Sequence, residues 1–489
     1  MKDLKTKAVR GGVAKAFAQA ATFLLRIGSV AALARLLAPQ EFGLVNMVTA
    51  VTGMLTILKD AGLSLATIQV GKVSEEQLSA LFWVNVLLGA FLTAVCLALG
   101  PALASFYREP RLTWVTASLA PGFLLNGLGV QHGALLGREM RFVTSAAIDV
   151  AAITVSAVVG IGMALARLGY WSLVGMSLAL TATSTIGSWV ATGWVPSRPR
   201  RGVGVSSLLH TGGAVTLNSI IVYVAYNLEK VLLGRFWGAS AIGLYGRAYQ
   251  LVSIPTENLN VAFSGVVISA LSRLQDDPAR LKSYFLKAYS LVLALTLPAA
   301  LACALFADEI ILVVLGPNWS GAGPILRLLT PTVVVFAIIS PMFWLLFATG
   351  LIKRSLRQAL VIAPLVIGGY AIGLPYGPKG VALAYSTALT LWVVPGLLWS
   401  IHGTPVRFAD VVGAVSRPML SALAAAAVCL ALRSTLLEGL GPVVRLALGV
   451  GCLGLTYAWL LLYAADQKGL YLDLLRSMVR RAPPEEASR

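Results

Sequence analysis

The chain has 489 residues, 58% of them hydrophobic and only 12% charged, with a mean hydropathy of +0.83. Lipid rather than water must be the solvent for most of such a surface, which excludes a soluble domain and leaves a polytopic membrane protein. The formal charge of +18 would suit a nucleic-acid binder, but Lys and Arg gather mainly in alternate connections between apolar stretches, the trace of membrane insertion, so no nucleic acid is expected as a partner.

In chain order the apolar spans run over 12–36, 43–68, 79–106, 112–136, 143–166, 168–193, 210–235, 241–270, 284–306, 325–349, 355–375, 379–401, 408–433 and 441–464. Each is close to the ~20 residues that cross a hydrocarbon core of ~30 Å, so an all-α fold of about 14 transmembrane helices is expected. With Lys2, Lys5, Lys7 and Arg10 in the cytoplasm, the even-numbered connections also face in. They carry Arg138 and Arg141, then Arg198, Arg200 and Arg201, then Arg273, Arg280 and Lys282, then Lys353, Arg354 and Arg357, with Lys468, Arg476, Arg480 and Arg481 at the end. The opposite connections hold chiefly Arg108, Arg111, Arg167, Arg235, Lys379 and Arg433. Both termini are therefore expected in the cytoplasm. The first span is too long for a signal-peptide core and is interrupted by Lys15 and Arg26, so no cleavage is expected. Cys96, Cys303, Cys429 and Cys452 lie in apolar stretches without metal-ligand spacing and read as buried small hydrophobes.

The connections are short, so the organisation to seek is repetition within the membrane part. An offset of about 200 residues sets Ala34-Arg35-Leu36-Leu37 and Phe42-Gly43-Leu44 against Gly234-Arg235-Phe236-Trp237 and Ile242-Gly243-Leu244. That offset spans an even number of helices, which gives two halves of like orientation, a transporter arrangement. The expected domains are an N-terminal lobe at 1–193, a cytoplasmic linker at 194–209, a C-terminal lobe at 210–401, two additional spans at 402–465 and a tail at 466–489. Proline and glycine punctuate the spans at Pro121-Gly122, Pro255, Pro298, Pro341, Pro364 with Gly368-Gly369, and Pro395-Gly396, as in helices that bend around a cavity.

An ionisable group at bilayer depth costs at least ~2.5–3.5 kcal/mol, so it faces the protein interior or water. Such groups are Lys15, Arg26, Lys59, Asp60 and Asp149 in the first half, and Glu229, Lys230, Arg247, Glu257 and Arg327 in the second. Lys15, Lys230 and Arg327 lie near span ends and read as interfacial anchors. Asp149 and Glu257 admit a structural hydrogen-bonding role, and Lys59 and Asp60 either pair structurally or mark a local break. Arg26 is near mid-span with no carboxylate within a turn, and Arg247 has a similar though weaker case. A cationic cavity for an anionic cargo explains both, and the planar guanidinium fork suits phosphate. No nucleophile, metal-ligand or phosphate-loop pattern occurs, so a transporter without cofactor or metal is expected rather than an enzyme.

Five stretches carry a family resemblance: LARLLAPQEFGLVNMVTAVTG (33–53), LKDAGLSLATIQ (58–69), YNLEKVLLGRFWGASAIGLYGRAYQL (226–251), SALSRLQDD (269–277) and VVLGPNW (313–319). The chain resembles the Wzx-type oligosaccharide flippases of the multidrug/oligosaccharidyl-lipid/polysaccharide exporter superfamily, especially the colanic-acid and exopolysaccharide exporters. The resemblance implies two six-helix lobes around a central cavity, plus two C-terminal helices. It implies translocation of undecaprenyl-pyrophosphate-linked oligosaccharide repeat units across the bacterial cytoplasmic (inner) membrane for exopolysaccharide or lipopolysaccharide biosynthesis. Partners are then the lipid-linked oligosaccharide, membrane lipids, and a polysaccharide polymerase with its chain-length machinery. The stretch 244–251 is similar to a cavity-lining Tyr-Ala-Asp-Arg-Leu segment of lipid II flippases, which supports Arg247, although Gly246 replaces the acid. On this reading Arg26, Lys59 and Arg247 bind the pyrophosphate, while Asp60, Glu229 and Glu257 balance charge or carry a coupling proton. The alternatives are a multidrug or cation antiporter of the same superfamily, which wants a cavity rich in carboxylates, and a membrane glycosyltransferase or polymerase, which wants a large outward loop.

Overall fold

The computed structural model describes residues 2–58, 74–198, 206–435 and 439–469. Among the described residues there are no strands, and sixteen α-helices follow one another. The first seven are α1 (Lys2–Leu36), α2 (Pro39–Leu58), α3 (Glu75–Tyr107), α4 (Arg111–Leu119), α5 (Pro121–Arg138), α6 (Phe142–Leu165) and α7 (Trp171–Thr192). A single run, α8 (Ser206–Ser272), is followed by α9 (Pro278–Leu305), α10 (Ala307–Val314), α11 (Ala322–Ile339) and α12 (Met342–Ala348). The last four are α13 (Ile352–Gly373), α14 (Gly377–Ile401), α15 (Phe408–Thr435) and α16 (Pro442–Trp459).

Among the described residues, ten helical stretches are long and apolar enough to cross a membrane, and breaks in the helices mark where the remaining expected spans begin and end. The 49-residue stretch Lys353–Ile401 contains two of them, α13 and α14, separated by the Leu374–Tyr376 turn and by Gly377 at φ 72°. The 67-residue α8 covers the two spans expected at 210–235 and 241–270, and Gly238 at φ 81° and ψ −177° interrupts it between them. Only glycine occupies that region without strain, and a non-helical residue there re-aims the chain. The span expected at 112–136 is divided into α4 and α5 at Pro121, and the one at 325–349 into α11 and α12 at Pro341. Proline has no N–H for the helical ladder, so each new helix starts on it or just after it. The expected outward connection 307–324 is not open chain. It carries α10 and a 3₁₀ turn at Pro317–Trp319, whose Trp319 is fully buried.

Two compact units result: Met1–Gly246 with Val314–Trp319, and Arg247–Val313 with Ser320–Arg489. In the first, Leu44, Met47 and Val48 of α2 pack with Leu103 and Tyr107 of α3, Leu112 and Val115 of α4, and Ile242 of α8. In the second, Phe285, Tyr289 and Leu293 of α9 pack with Trp344, Leu345, Cys429 and Leu453. Cys96 and Cys303 are also buried as expected, but Cys452 is only half-buried.

Between membrane helices there is little hydrophobic drive, so small residues that admit close backbone approach decide where helices cross. In the first unit, a Cβ on Gly43 would stand 1.7 Å from the Ala239 carbonyl oxygen, and one on Gly243 would stand 2.0 Å from that of Pro39. Pro39 and Ala239, like Gly43 and Gly243, are 200 positions apart. The contact is therefore reciprocal, the signature of a local two-fold relation. Its flanks repeat the relation. The Ala34 carbonyl accepts the Trp319 indole N–H at 2.7 Å, and Gly234 lies against the Tyr107 ring. Arg35 lies against Gly316, and the Arg235 guanidinium sits 5.7 Å over the Phe106 ring.

Candidate substrate site

On α1, Gln19, Thr22 and Arg26 stand at i, i+3 and i+7, which places them along one face of the helix. Gln19 and Thr22 line a cavity of about 360 Å³ with Asp149 of α6 and Ser184 of α7, floored by Ala146, Ala152 and Ile153. Arg26 continues the same stripe one turn further and is exposed, and among the described residues no carboxylate pairs with it. A guanidinium in this position at membrane depth must meet water or an anion rather than lipid.

The first part of α8 is fastened to α2. The Tyr223 hydroxyl donates to the Thr49 and Ala50 carbonyls at 3.2 Å, and a Cβ on Gly53 would collide with that hydroxyl. One turn on, the Lys230 ammonium donates to the Asn227 side-chain oxygen at 2.7 Å. Glu229 is 1% exposed, so it lies inside the unit's packing and not on an open surface. Gly246, where the lipid II flippases have an acid, faces Asn46 of α2: a Cβ there would stand 2.7 Å from the Asn46 side-chain nitrogen.

Arg247 opens the second unit and is half-buried. Its guanidinium donates to the side-chain oxygen of Gln250, which fixes the fork along the helix. The Tyr249 ring lies 6.4 Å from Tyr385, and Tyr385 lies 5.5 Å from Tyr370. Of the six candidate residues, Arg26 and Glu229 thus belong to the first unit and Arg247 to the second. Lys59 and Asp60 fall outside the described residues, as does the side chain of Glu257.

Two polar constellations escaped the sequence reading. The Gln19–Thr22–Asp149–Ser184 cavity was legible only as the stripe on α1, since its other half comes from helices more than 120 residues away. The second is a buried ion cluster. Glu309, 5% exposed, accepts from Arg433 at 3.0 Å and faces Arg445 at 3.5 Å, with Arg433 also over the Phe306 ring. Arg327, expected as an interfacial anchor, pairs with Asp308 at 2.7 Å, both half-exposed. Three of the resemblance stretches, 33–53, 226–251 and 313–319, supply the glycine crossing and its flanks, so their residues are spent largely on packing.

Comparison with known proteins places this architecture. The chain is 28% identical over 363 residues to an uncharacterized membrane protein in the cps region of Klebsiella pneumoniae, covering 73% of this chain and 74% of that one. It is 26% identical over 389 residues to the lipopolysaccharide biosynthesis protein WzxC of Escherichia coli, covering 77% and 78%. It is 24% identical over 476 residues to the succinoglycan biosynthesis transport protein ExoT of Rhizobium meliloti, covering 96% and 95%. The fold is that of the lipid II flippase MurJ in its inward closed conformation, with a TM-score of 0.73, 15% identity, and 95% and 100% of the two chains covered. An inward-facing multidrug resistance MATE transporter of the MOP superfamily also matches, with a TM-score of 0.62, 15% identity, and 78% and 94% covered. Residues 32–324, more than half of the sequence, match the family described as polysaccharide biosynthesis protein, and the chain belongs to that family.

Proposed function

We propose that this chain is a flippase that moves polyprenyl-pyrophosphate-linked oligosaccharide repeat units across the cytoplasmic membrane, by alternating access of the lobes 1–193 and 210–401. Membership of a polysaccharide biosynthesis family in a chain folded like a lipid-linked precursor flippase carries the reading. A pyrophosphate head crossing hydrocarbon alone meets a prohibitive desolvation cost, and fixed guanidinium groups replace its lost water. Arg26 and Arg247, with Lys59 as a third, are the groups proposed to do so; Asp60, Glu229 and Glu257 balance the charge or carry a coupling proton. The prenyl tail is as apolar as the bilayer and stays in it. A carboxylate-rich antiporter cavity fits this basic chain poorly. As an exporter the protein works beside a polymerase and chain-length machinery, with both termini in the cytoplasm.

The test is Arg→Ala and Arg→Lys at positions 26 and 247, scored by polysaccharide export after membrane insertion is verified. Alanine is expected to abolish export, and lysine to weaken it by keeping charge while losing the bidentate fork. Wild-type export by both inserted alanine variants would make these arginines structural and sink the cationic-cavity reading.

A further inference from the structure

Within the second unit, α11, α13 and α14 enclose an open groove of about 800 Å³. Its walls are Leu365, Ile372, Leu383 and Leu391, and its floor is made by glycines including Gly368. The hydroxyl of Thr387, the one polar side chain along its length, is satisfied by the Leu383 carbonyl at 2.8 Å. Nothing inside the groove asks for a polar ligand. At one end the character changes, with Tyr376, 77% exposed, beside the exposed Lys379. No carboxylate lines the groove, and among the described residues none pairs with Lys379.

The dimensions identify the occupant. From Lys379 to Leu391, α14 rises about 18 Å at 1.5 Å per residue. Half of a hydrocarbon core is about 15 Å, so the groove has the length of one leaflet. Its cationic end then lies at headgroup level, where tyrosine also concentrates. The geometry points to a specific site for one anionic phospholipid, its chains in the groove and its phosphate on Lys379. One lysine matches one phosphate charge. A polyprenyl chain longer than one leaflet is deep does not match a groove of this length. None of the proposed cargo residues lines the groove, and the inference does not depend on the flippase reading.

The probe is native mass spectrometry of the full-length protein, released from detergent after titration with phosphatidylglycerol, phosphatidylethanolamine of identical chains, or undecaprenyl phosphate. Wild type is expected to hold phosphatidylglycerol about fivefold more tightly than phosphatidylethanolamine, the contribution of one basic residue at a membrane surface. Lys379→Ala removes the preference while both lipids still bind. Gly368→Leu removes both lipids, because a Cβ at that helical position meets no atom within 4 Å and the side chain enters the groove. Thr387→Leu fills the groove from the exposed face of α14 and serves if the first variant folds poorly. Equal retention of the two phospholipids by wild type, an unchanged preference in Lys379→Ala, or bound lipid surviving both filled grooves would each overturn the proposal. Tighter binding of undecaprenyl phosphate would also overturn it, by assigning the groove to the cargo.

Discussion

Replacing Gly243 by alanine puts one methyl group where two backbones already touch. The added carbon would stand 2.0 Å from the Pro39 oxygen and 2.8 Å from its carbonyl carbon, against 3.4–4 Å for an ordinary contact. Neither atom is the end of a flexible side chain, so α2 and α8 must separate by more than 1 Å along the crossing. Overpacking of this kind costs about 1–3 kcal/mol, and separating two backbones belongs at the upper end, about 3 kcal/mol. For a unit of about 250 residues that is a fall of roughly 6 °C or more in the unfolding midpoint. Gly43→Ala, 1.7 Å from the Ala239 oxygen, is expected to cost as much. The double variant is expected to cost clearly less than the sum, because the helices need to part only once. Gly162→Ala is the control: its Cβ meets nothing, so it stabilises by about 0.5–1 kcal/mol through helix propensity. Tryptophan-fluorescence melting of the detergent-purified proteins reads all four. An unshifted midpoint in either single variant, or strict additivity in the double, would refute a shared crossing.

Three further outcomes are expected. Glu309→Ala leaves Arg433 and Arg445 facing each other, and since both stay 30% exposed the expected cost is about 2 kcal/mol, below the ~3–5 of a fully buried pair; an unchanged melting midpoint would show the cluster to be solvent-balanced. Hydrogen bonds from Arg111 hold the Glu109 carboxyl below its ordinary range, so its contribution is present above the unfolded pKa of ~4.3 and is lost as pH falls through the lower folded value. Glu109→Gln should therefore differ slightly from wild type in midpoint at pH 5–8 and converge with it in stronger acid, and convergence already at pH 6 would contradict that sign. Single cysteines at 200 and 318 are expected to react with a membrane-impermeant thiol reagent from the inside and the outside respectively, and outside labelling at 200 would invert the topology.

The helices were legible because apolar runs of membrane length leave little choice of structure. Where they break was less so. Pro121 and Pro341 were visible as punctuation, but Gly238 reads like any glycine in a small-residue helix, and nothing in the sequence distinguishes the one that takes a positive φ. The repeat was visible as identities at an offset of about 200, without any hint that Gly43 and Gly243 meet. Arg26 stood out because a mid-span charge needs a local reason, and the stripe it shares with Gln19 and Thr22 follows from helical spacing. The partners of Glu309 come from 124 and 136 residues away, a separation at which pattern carries no information.

The reciprocal glycine crossing also dates events during synthesis. Pro39 and Gly43 leave the ribosome about 200 residues before the backbone they must meet, which at about 5–20 residues per second is a delay of roughly 10–40 s. Through that interval the glycine face of α2 has only lipid or the insertion machinery against it. Trp319, which caps Ala34, arrives later still. The first unit is therefore finished only after most of the chain has been inserted, so a ribosome stalled before position 239 leaves an N-terminal half that lacks its closing contact and is exposed to membrane proteases.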